Sequence, residues 1–330
     1  MTTLIRTENL TKKYSAGNRF FCSKTAFTAV NNVSLEIREG ESLGLIGESG
    51  CGKSTFGRAV CGLEKITEGK LFLGETDVTN LSKGEFRPYR KNIQMVFQNN
   101  LSAFNPKYTM YQSIEEVLKN FEELSKSDTD ARIKAIFRSV GLDEKLLYRY
   151  PHQMSGGERQ RANIARAIVL NPKVVICDEA VASLDYALRK SILKLLNDIS
   201  GQYGVTYLFI THDLSTIRYV CSKIAVMYLG EVVEIMDVEN MEQTMLHPYT
   251  KALFQSVLIT DPVKRGTICR DKIGELEYLP KVETGCVFYN RCKYCTDRCQ
   301  RDPPQLQQAE KGHMVACHNI EAFNVCTLRK

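Results

Sequence analysis

Short apolar runs rich in β-branched residues recur along most of the chain, and between them apolar residues return every three to four positions. The first pattern predicts strands over Leu4–Asn9, Val33–Ile37, Ser42–Ile46, Lys70–Leu73, Ile93–Phe97, Lys173–Cys177, Thr206–Ile210, Ile224–Tyr228 and Val232–Ile235. The second predicts helices that start at Lys53, Gln112, Asp130, Gly156, Ala187 and Leu214. Strands that alternate with helices are the mark of an α/β fold. From about Asn99 to Arg166 the pattern is mostly helical, and we read that stretch as a helical insert. After about His247 the character changes: a helix opening on HPYT leads into a Pro-, Gly- and Cys-rich tail with few strand signals. This predicts a small Cys-rich C-terminal appendage over 247–330, with the main domain over 1–246.

Composition narrows the picture in three ways. At 330 residues and 43% hydrophobic, the chain can bury a substantial core, and 25% charged residues do not point to disorder. The 44 Lys+Arg exceed the 38 Asp+Glu by 6, a mild basic bias that suits anionic lipid or a nucleotide and is no signal for nucleic acid. The first residues, MTTLIRTENL, lack the pattern of a secretory signal, and no apolar run reaches the roughly 18 residues of a membrane span. A soluble chain with at most a peripheral membrane role is expected.

Three short motifs carry chemistry. Gly47-Glu48-Ser49-Gly50-Cys51-Gly52-Lys53-Ser54 fits G-x-x-x-x-G-K-[ST] and follows the strand-like run SLGLI, with Thr55 continuing the new helix. Glycines let such a loop curl so that its N–H groups face phosphates; Lys53 adds charge, and the Ser54 hydroxyl suits Mg²⁺. In VVICDE, four apolar residues form a buried strand that ends in Asp178, placed to hold Mg²⁺ through water, and Glu179, placed to polarise an attacking water. In MSGGERQR, Ser155 and Glu158 form a capping box, while Gly156 and Gly157 bare the start of the same helix toward an anion. Locally, cap and anion site are equally good readings.

Taken in order, Gly47–Ser54, Gln98, Ser155–Gln160, Asp178–Glu179, Ser183-Leu184-Asp185 and His212 resemble the ATPase domain of ABC transporters. The resemblance implies a P-loop NTPase fold with a helical subdomain, and assigns the roles in that family's terms. Gly47–Ser54 is the Walker A loop, Gln98 the Q-loop residue that also reaches Mg²⁺, and Ser155–Gln160 the signature. Asp178 and Glu179 are Walker B, Asp185 lies in the D-loop, and His212 is the switch histidine. It also implies a head-to-tail dimer with each ATP between one subunit's Walker A and the other's signature, and an aromatic residue stacked on adenine. Tyr14, in LTKKY, is the first choice for that residue; the long stretch from Ser15 to Thr28 keeps Phe20, Phe21 and Phe27 open. YPHQMSGGERQRANIARAI, FQNNLSAFNP and HPYTKAL resemble more narrowly the oligopeptide, dipeptide and nickel importers. Departures are Met154 for Leu, Glu158 for Gln, Ala180 for Pro and the order Ala182-Ser183; none removes a catalytic group, but they leave open whether both ATP sites of a heterodimer fire equally.

The chain has 12 cysteines. An ATP site implies a reducing compartment, so free or metal-bound thiols are expected rather than disulfides. Cys61 and Cys177 lie in apolar contexts and read as packed hydrophobes; Cys51 reads as a tolerated small residue. Cys22, Cys221, Cys269 and Cys326 are scattered. The tail carries Cys286, Cys292, Cys295, Cys299 and Cys317. One C-x2-C pair, Cys292 with Cys295, is present without the second pair common in zinc sites. Residues alone leave an iron–sulfur cluster, Zn²⁺ or loose thiols open. The importer resemblance implies a [4Fe–4S] cluster on Cys286, Cys292, Cys299 and Cys317, and His313 and His318 read as hydrogen-bonders. Its place far along the chain suggests no part in hydrolysis.

The resulting expectation is the ATP-hydrolysing subunit of a peptide importer, at the cytoplasmic face of the cell membrane. Its expected partners are a second, non-identical ATPase, two transmembrane permeases and, through them, a solute-binding protein. A nickel or other small-solute importer, an exporter ATPase and a soluble ABC ATPase on nucleic acid are the alternatives; one cassette and no sustained heptads argue against the last.

Overall fold

The structure, a computed structural model, describes residues 2–15, 26–98, 103–182, 184–256 and 284–320. Phe20, Phe21, Cys22, Ser183, Cys269 and Cys326 lie outside them. Five strands, β1 (Thr3–Ser15), β2 (Ala26–Val33), β3 (Glu36–Arg38), β5 (Glu68–Leu73) and β6 (Thr76–Asp77), form an antiparallel sheet. The remaining eight are β4 (Leu43–Ile46), β7 (Ile93–Val96), β8 (Val174–Asp178), β9 (Thr206–Thr211), β10 (Lys223–Tyr228), β11 (Glu231–Asp237), β12 (Gln307–Glu310) and β13 (His313–Val315). They form one sheet in the order β12-β13-β11-β10-β4-β9-β8-β7, parallel from β10 to β7 and antiparallel beyond. The helices are α1 (Lys53–Val60), α2 (Lys83–Phe86), α3 (Met110–Phe121), α4 (Lys126–Ser139), α5 (Gly156–Ile168), α6 (Tyr186–Tyr203), α7 (Leu214–Ile217), α8 (Met241–Thr244), α9 (Pro248–Ser256) and α10 (Asp297–Arg301).

The apolar runs at the centre of the large sheet have a simple cause. Val174 and Ile176 of β8, Leu208 and Ile210 of β9, and Ala225 and Met227 of β10 enter one core, shared with Phe56 of α1 and Leu10 and Val30 of the antiparallel sheet. Their alternates Val175 and Cys177, Tyr207 and Phe209, and Ile224 and Val226 enter the other, shared with α5 and the helical region. A parallel sheet covered on both faces needs apolar residues at every position. Cys177 and Cys61 are packed hydrophobes as expected, at 0% and 5% exposure.

The predicted strand Val33–Ile37 is two strands, since β2 ends at Val33 and β3 begins at Glu36, and the start of β2 at Ala26 was missed. Helices predicted from Gln112, Asp130 and Ala187 begin earlier, at the residues after the caps Thr109, Ser125 and Asp185. The separate Cys-rich appendage is not supported. The described part of the tail adds β13 to the edge of β11, with Glu234 opposite Val315, and Cys286, Phe288 and Cys299 belong to the main core. The buried Glu234 carboxylate gathers this region, accepting from the N–H groups of Leu246 (2.6 Å) and His247 (3.2 Å) and pairing with His313 Nε2 at 2.8 Å. Among the described residues no helix is long and apolar enough to cross a membrane.

Candidate nucleotide site

The loop from Gly47 to Gly52 joins β4 to α1. A Cβ on Gly47 would stand 2.1 Å from the Met227 carbonyl oxygen, and one on Gly52 would stand 2.1 Å from that of Ala29. Gly52, at φ 107°, is the N-cap of α1 and offers no side-chain cap, so the first N–H groups of α1 remain for an anion. Ser49 and Gly50 are exposed, while Lys53 is buried. Its ammonium is parked on the carbonyl oxygens of Gly47 and Glu48, both at 2.8 Å, with Cys51 Sγ at 3.5 Å. A phosphate in the loop offers Lys53 an anionic partner in place of two neutral ones. Burial pushes the Cys51 thiol up from its ordinary range, as suits a packed small residue.

Opposite the loop, Ser54 Oγ donates to Asp178 Oδ1 at 2.7 Å. Hydroxyl and carboxylate oxygens are the donors a hard cation such as Mg²⁺ takes, so this pair fits it. Burial raises the Asp178 carboxyl above its usual range, the bond from Ser54 working against it. Glu179 follows with φ 49°, a left-handed turn at the end of β8 that costs about 1 kcal/mol in a residue with a Cβ. The Glu179 carboxylate accepts from Gln98 Nε2 and stands 3.2 Å from His212 Nδ1. Gln98, Glu179 and His212 thus form one group. Among the described residues Gln98 gives its amide N–H₂ to Glu179, not to Ser54 or Asp178, the pair suited to Mg²⁺.

Ser155, Gly156, Gly157 and Glu158 stand elsewhere. They line an open cleft of about 800 Å³ together with Leu184, Asp185 and Leu188, and no residue of the phosphate loop lines it. The capping box is present: Glu158 N–H donates to Ser155 Oγ (3.3 Å) and Ser155 N–H to the Glu158 carboxylate (2.8 Å), whose pKa the latter bond lowers. The two glycines differ. A Cβ on Gly157 would press on Leu188 at 2.8 Å, whereas one on Gly156 would meet only the end of Arg159 at 4.0 Å. Asp185 caps α6 through Leu188 N–H at 2.9 Å.

Tyr14 on β1 is 37% exposed. Its hydroxyl donates to Glu64, Lys12 lies 4.8 Å over its ring, and Thr55 at the foot of the phosphate loop touches it. Phe27, directly across from Tyr14 on β2, is the other exposed ring described there.

Cys286, Cys292, Cys299 and Cys317 line one pocket with His247, Phe288 and Tyr294, while Cys295 is exposed and does not line it. Burial pushes the Cys286 thiol up to about 12 and Cys292 up to about 11. Backbone N–H groups point at the sulfurs: those of Phe288, Tyr294 and Asn319 reach Cys286, Cys292 and Cys317. Among the described residues no three of His, Cys, Asp or Glu stand close enough to share one metal ion. His313 and His318 are hydrogen-bonders, to Glu234 and to the Asp302 carbonyl.

Two contacts that tie these groups together carried no signal in the sequence. Gln160, fully buried on α5, donates to the Ala180 carbonyl at 2.6 Å, next to Glu179. Arg189 joins α6 to the residue after His212 through Asp213 at 2.6 Å. Both partners lie more than a helix away along the chain, so no local spacing reveals them. Gln160 was visible only as the last residue of the signature.

Comparison with known proteins accounts for the arrangement. Residues 30–182 match the family model described as ABC transporter, and residues 233–299 the model described as oligopeptide/dipeptide transporter, C-terminal region. The oligopeptide transport ATP-binding protein AppF of Bacillus subtilis is 40% identical over 88% of this chain and 89% of its own length. The di/tripeptide transport ATP-binding protein DppF of Pseudomonas aeruginosa is 35% identical over 98% of this chain and 99% of its own. Among solved structures, a dimeric ATP-binding cassette in a post-hydrolysis state with ADP and phosphate superposes with a TM-score of 0.64 at 28% identity, covering 71% of this chain and 99% of that one. With an uncapped phosphate loop, a carboxylate pair at the end of β8 and relatives that match along almost the whole chain, the protein belongs to the ABC transporter family, among its peptide-transport ATP-binding proteins.

Proposed function

We propose that this chain is the ATP-hydrolysing subunit of a membrane importer for oligopeptides or dipeptides. As an ABC ATP-binding protein it hydrolyses ATP to drive transport. The reading of its cargo is carried by one observation: the relatives that match over nine-tenths of the chain are peptide-transport subunits, and their characteristic C-terminal region is present. Partners of that reading are two membrane permeases, a second, non-identical ATPase and a solute-binding protein, with the chain at the cytoplasmic face. Residues 1–246 are the nucleotide-binding domain, with a helical subdomain over about 99–166, and 247–330 the importer-type extension.

The roles proposed for the residues are these. Gly47–Thr55 hold the phosphates, and Lys53 leaves its two carbonyl partners for the β/γ-phosphates. Ser54 and Asp178 would hold Mg²⁺, which neutralises phosphate charge, with Gln98 reaching it after leaving Glu179. Glu179 accepts from the attacking water, and His212 orients toward the γ-phosphate. Tyr14 stacks on adenine. Ser155–Glu158 and Asp185 serve the ATP of a partner ATPase; their separation from the chain's own phosphate loop supports a head-to-tail dimer. The test is Glu179→Gln in the assembled transporter, which is expected to keep ATP binding and lose turnover at least about 100-fold; near-normal ATPase activity refutes the assignment.

We propose a [4Fe–4S] cluster on Cys286, Cys292, Cys299 and Cys317, the four cysteines that line one pocket. Cysteine sulfurs that accept N–H groups suit such a cluster; Zn²⁺ on the same thiols is the alternative. The cluster's chemistry would be structural or redox-sensing. Protein purified without oxygen should carry iron and acid-labile sulfide, lost with Cys299→Ser and kept with Cys295→Ser; a colourless preparation with one zinc per chain refutes the cluster.

A further inference from the structure

The second residue of the phosphate loop is held from outside the loop. Glu48 N–H donates to Tyr249 Oη at 2.9 Å, and each of its carboxylate oxygens takes one N–H of Arg291 at 3.0 Å. The guanidinium lies 5.5 Å from the centre of the Tyr228 ring and 5.7 Å from that of Phe288. The side chains of Arg291 and Glu48 are only 11% and 24% exposed. A two-pronged, stacked and shielded Arg–carboxylate pair is the strong form of this contact, and Lys cannot reproduce its geometry.

Two further facts give the pair a consequence. Lys53 rests on the carbonyls of Gly47 and Glu48, so whatever fixes Glu48 also fixes the oxygens from which Lys53 must depart. Arg291 sits directly before Cys292, and Phe288, against which it packs, lines the four-thiol pocket. The loop and the pocket therefore meet across one arginine, although 243 residues separate Glu48 from Arg291. Distance along the chain suggests that the cysteine cluster takes no part in hydrolysis, and says nothing of this contact with the phosphate loop.

We propose that Arg291 is a positioning residue for ATP: it holds the phosphate loop in its binding shape through Glu48, and so couples nucleotide affinity to the assembly of the thiol pocket behind it. This rests on the reading of Gly47–Thr55 as the ATP site. A purely structural arginine, stapling the tail to the sheet, would alter the melting temperature and leave the affinity of the folded protein untouched.

The experiment is an equilibrium titration of the full-length chain with a fluorescent N-methylanthraniloyl-ATP and Mg²⁺, with thermal midpoints recorded alongside. Arg291→Ala is expected to weaken binding about tenfold and Glu48→Gln by a similar factor. The double variant should be no weaker than the weaker single one, since the two residues act through one contact. Arg291→Lys should recover part of the loss, keeping the charge without the fork. Cys299→Ser should weaken binding in the otherwise unchanged chain and add nothing to Arg291→Ala. Glu48→Gln does not touch the tail, so it reports even if Arg291→Ala fails to fold. Wild-type binding, within twofold, by folded Glu48→Gln and Arg291→Lys overturns the proposal, as do losses that multiply in the double variant. A wild-type chain that binds no analogue overturns the ATP reading beneath it, and the proposal with it.

Discussion

Two helices of this protein begin on glycine-rich turns, and they begin in opposite ways. α1 starts from Gly52 with no side-chain cap and no acid in its first turn. α5 starts from Ser155 with a complete capping box and Glu158 in its first turn. Both begin on small residues, but α1 has no side-chain cap at all, whereas at α5 the cap takes one first-turn N–H, that of Glu158. At α1 the need for an anion is built in, and Lys53 meanwhile borrows two backbone carbonyls. At α5 the cap meets part of that need within the chain, and Gly156 keeps an open surface at the helix start. A motif of small residues before a helix is thus not one device: α1 starts uncapped beneath the phosphate loop, and α5 starts capped beside an open cleft, as the proposed roles on two different nucleotides require.

Substitutions at the two starts should separate them. Gly52→Ala should have the largest effect. The new methyl meets the Ala29 backbone and the residue is forced to a left-handed φ, so we expect a loss of about 3 kcal/mol or more in chemical denaturation, with nucleotide binding gone. A stable Gly52→Ala chain that binds ATP would remove the distinction. Ser155→Ala should cost about 1 kcal/mol by loss of the cap, read as a lower midpoint in urea, with ATP binding by the isolated chain unchanged. Gly156→Ala should leave stability unchanged within about 0.5 kcal/mol, because the methyl enters open space. In the assembled transporter the same variant should lower ATPase activity at least about tenfold; full activity would mean that Gly156 faces no nucleotide.

The features legible in the sequence were those written in neighbouring residues. The phosphate loop, the acids ending β8 and the capping box each occupy fewer than ten consecutive positions, and the central strands announced themselves because both faces of their sheet are buried. What escaped was of two kinds. β12, Gln307–Glu310, is a polar edge strand with no apolar alternation to betray it. Gln160 with Ala180, Arg189 with Asp213 and Arg291 with Glu48 are pairs made only by the fold. Four of the tail cysteines line one pocket and Cys295 is exposed outside it. That the tail is woven into the main sheet was not, since its strands are short and its apolar residues complete a core begun elsewhere.

Weaving the tail into the sheet also decides where the sheet stops. Glu234 and Ile235 of β11 pair with Val315 and Met314, and beyond them only the short, polar β12 faces outward. A brief polar border of this kind gives a neighbouring molecule little to add a strand to. A chain ending before residue 307 would present β11 instead, longer and largely apolar, with its hydrogen-bonding groups bare and Glu234 deprived of His313. The last part of the chain thus bears on solubility as well as on cysteine chemistry, and trimming it invites copies of the protein to stack edge to edge.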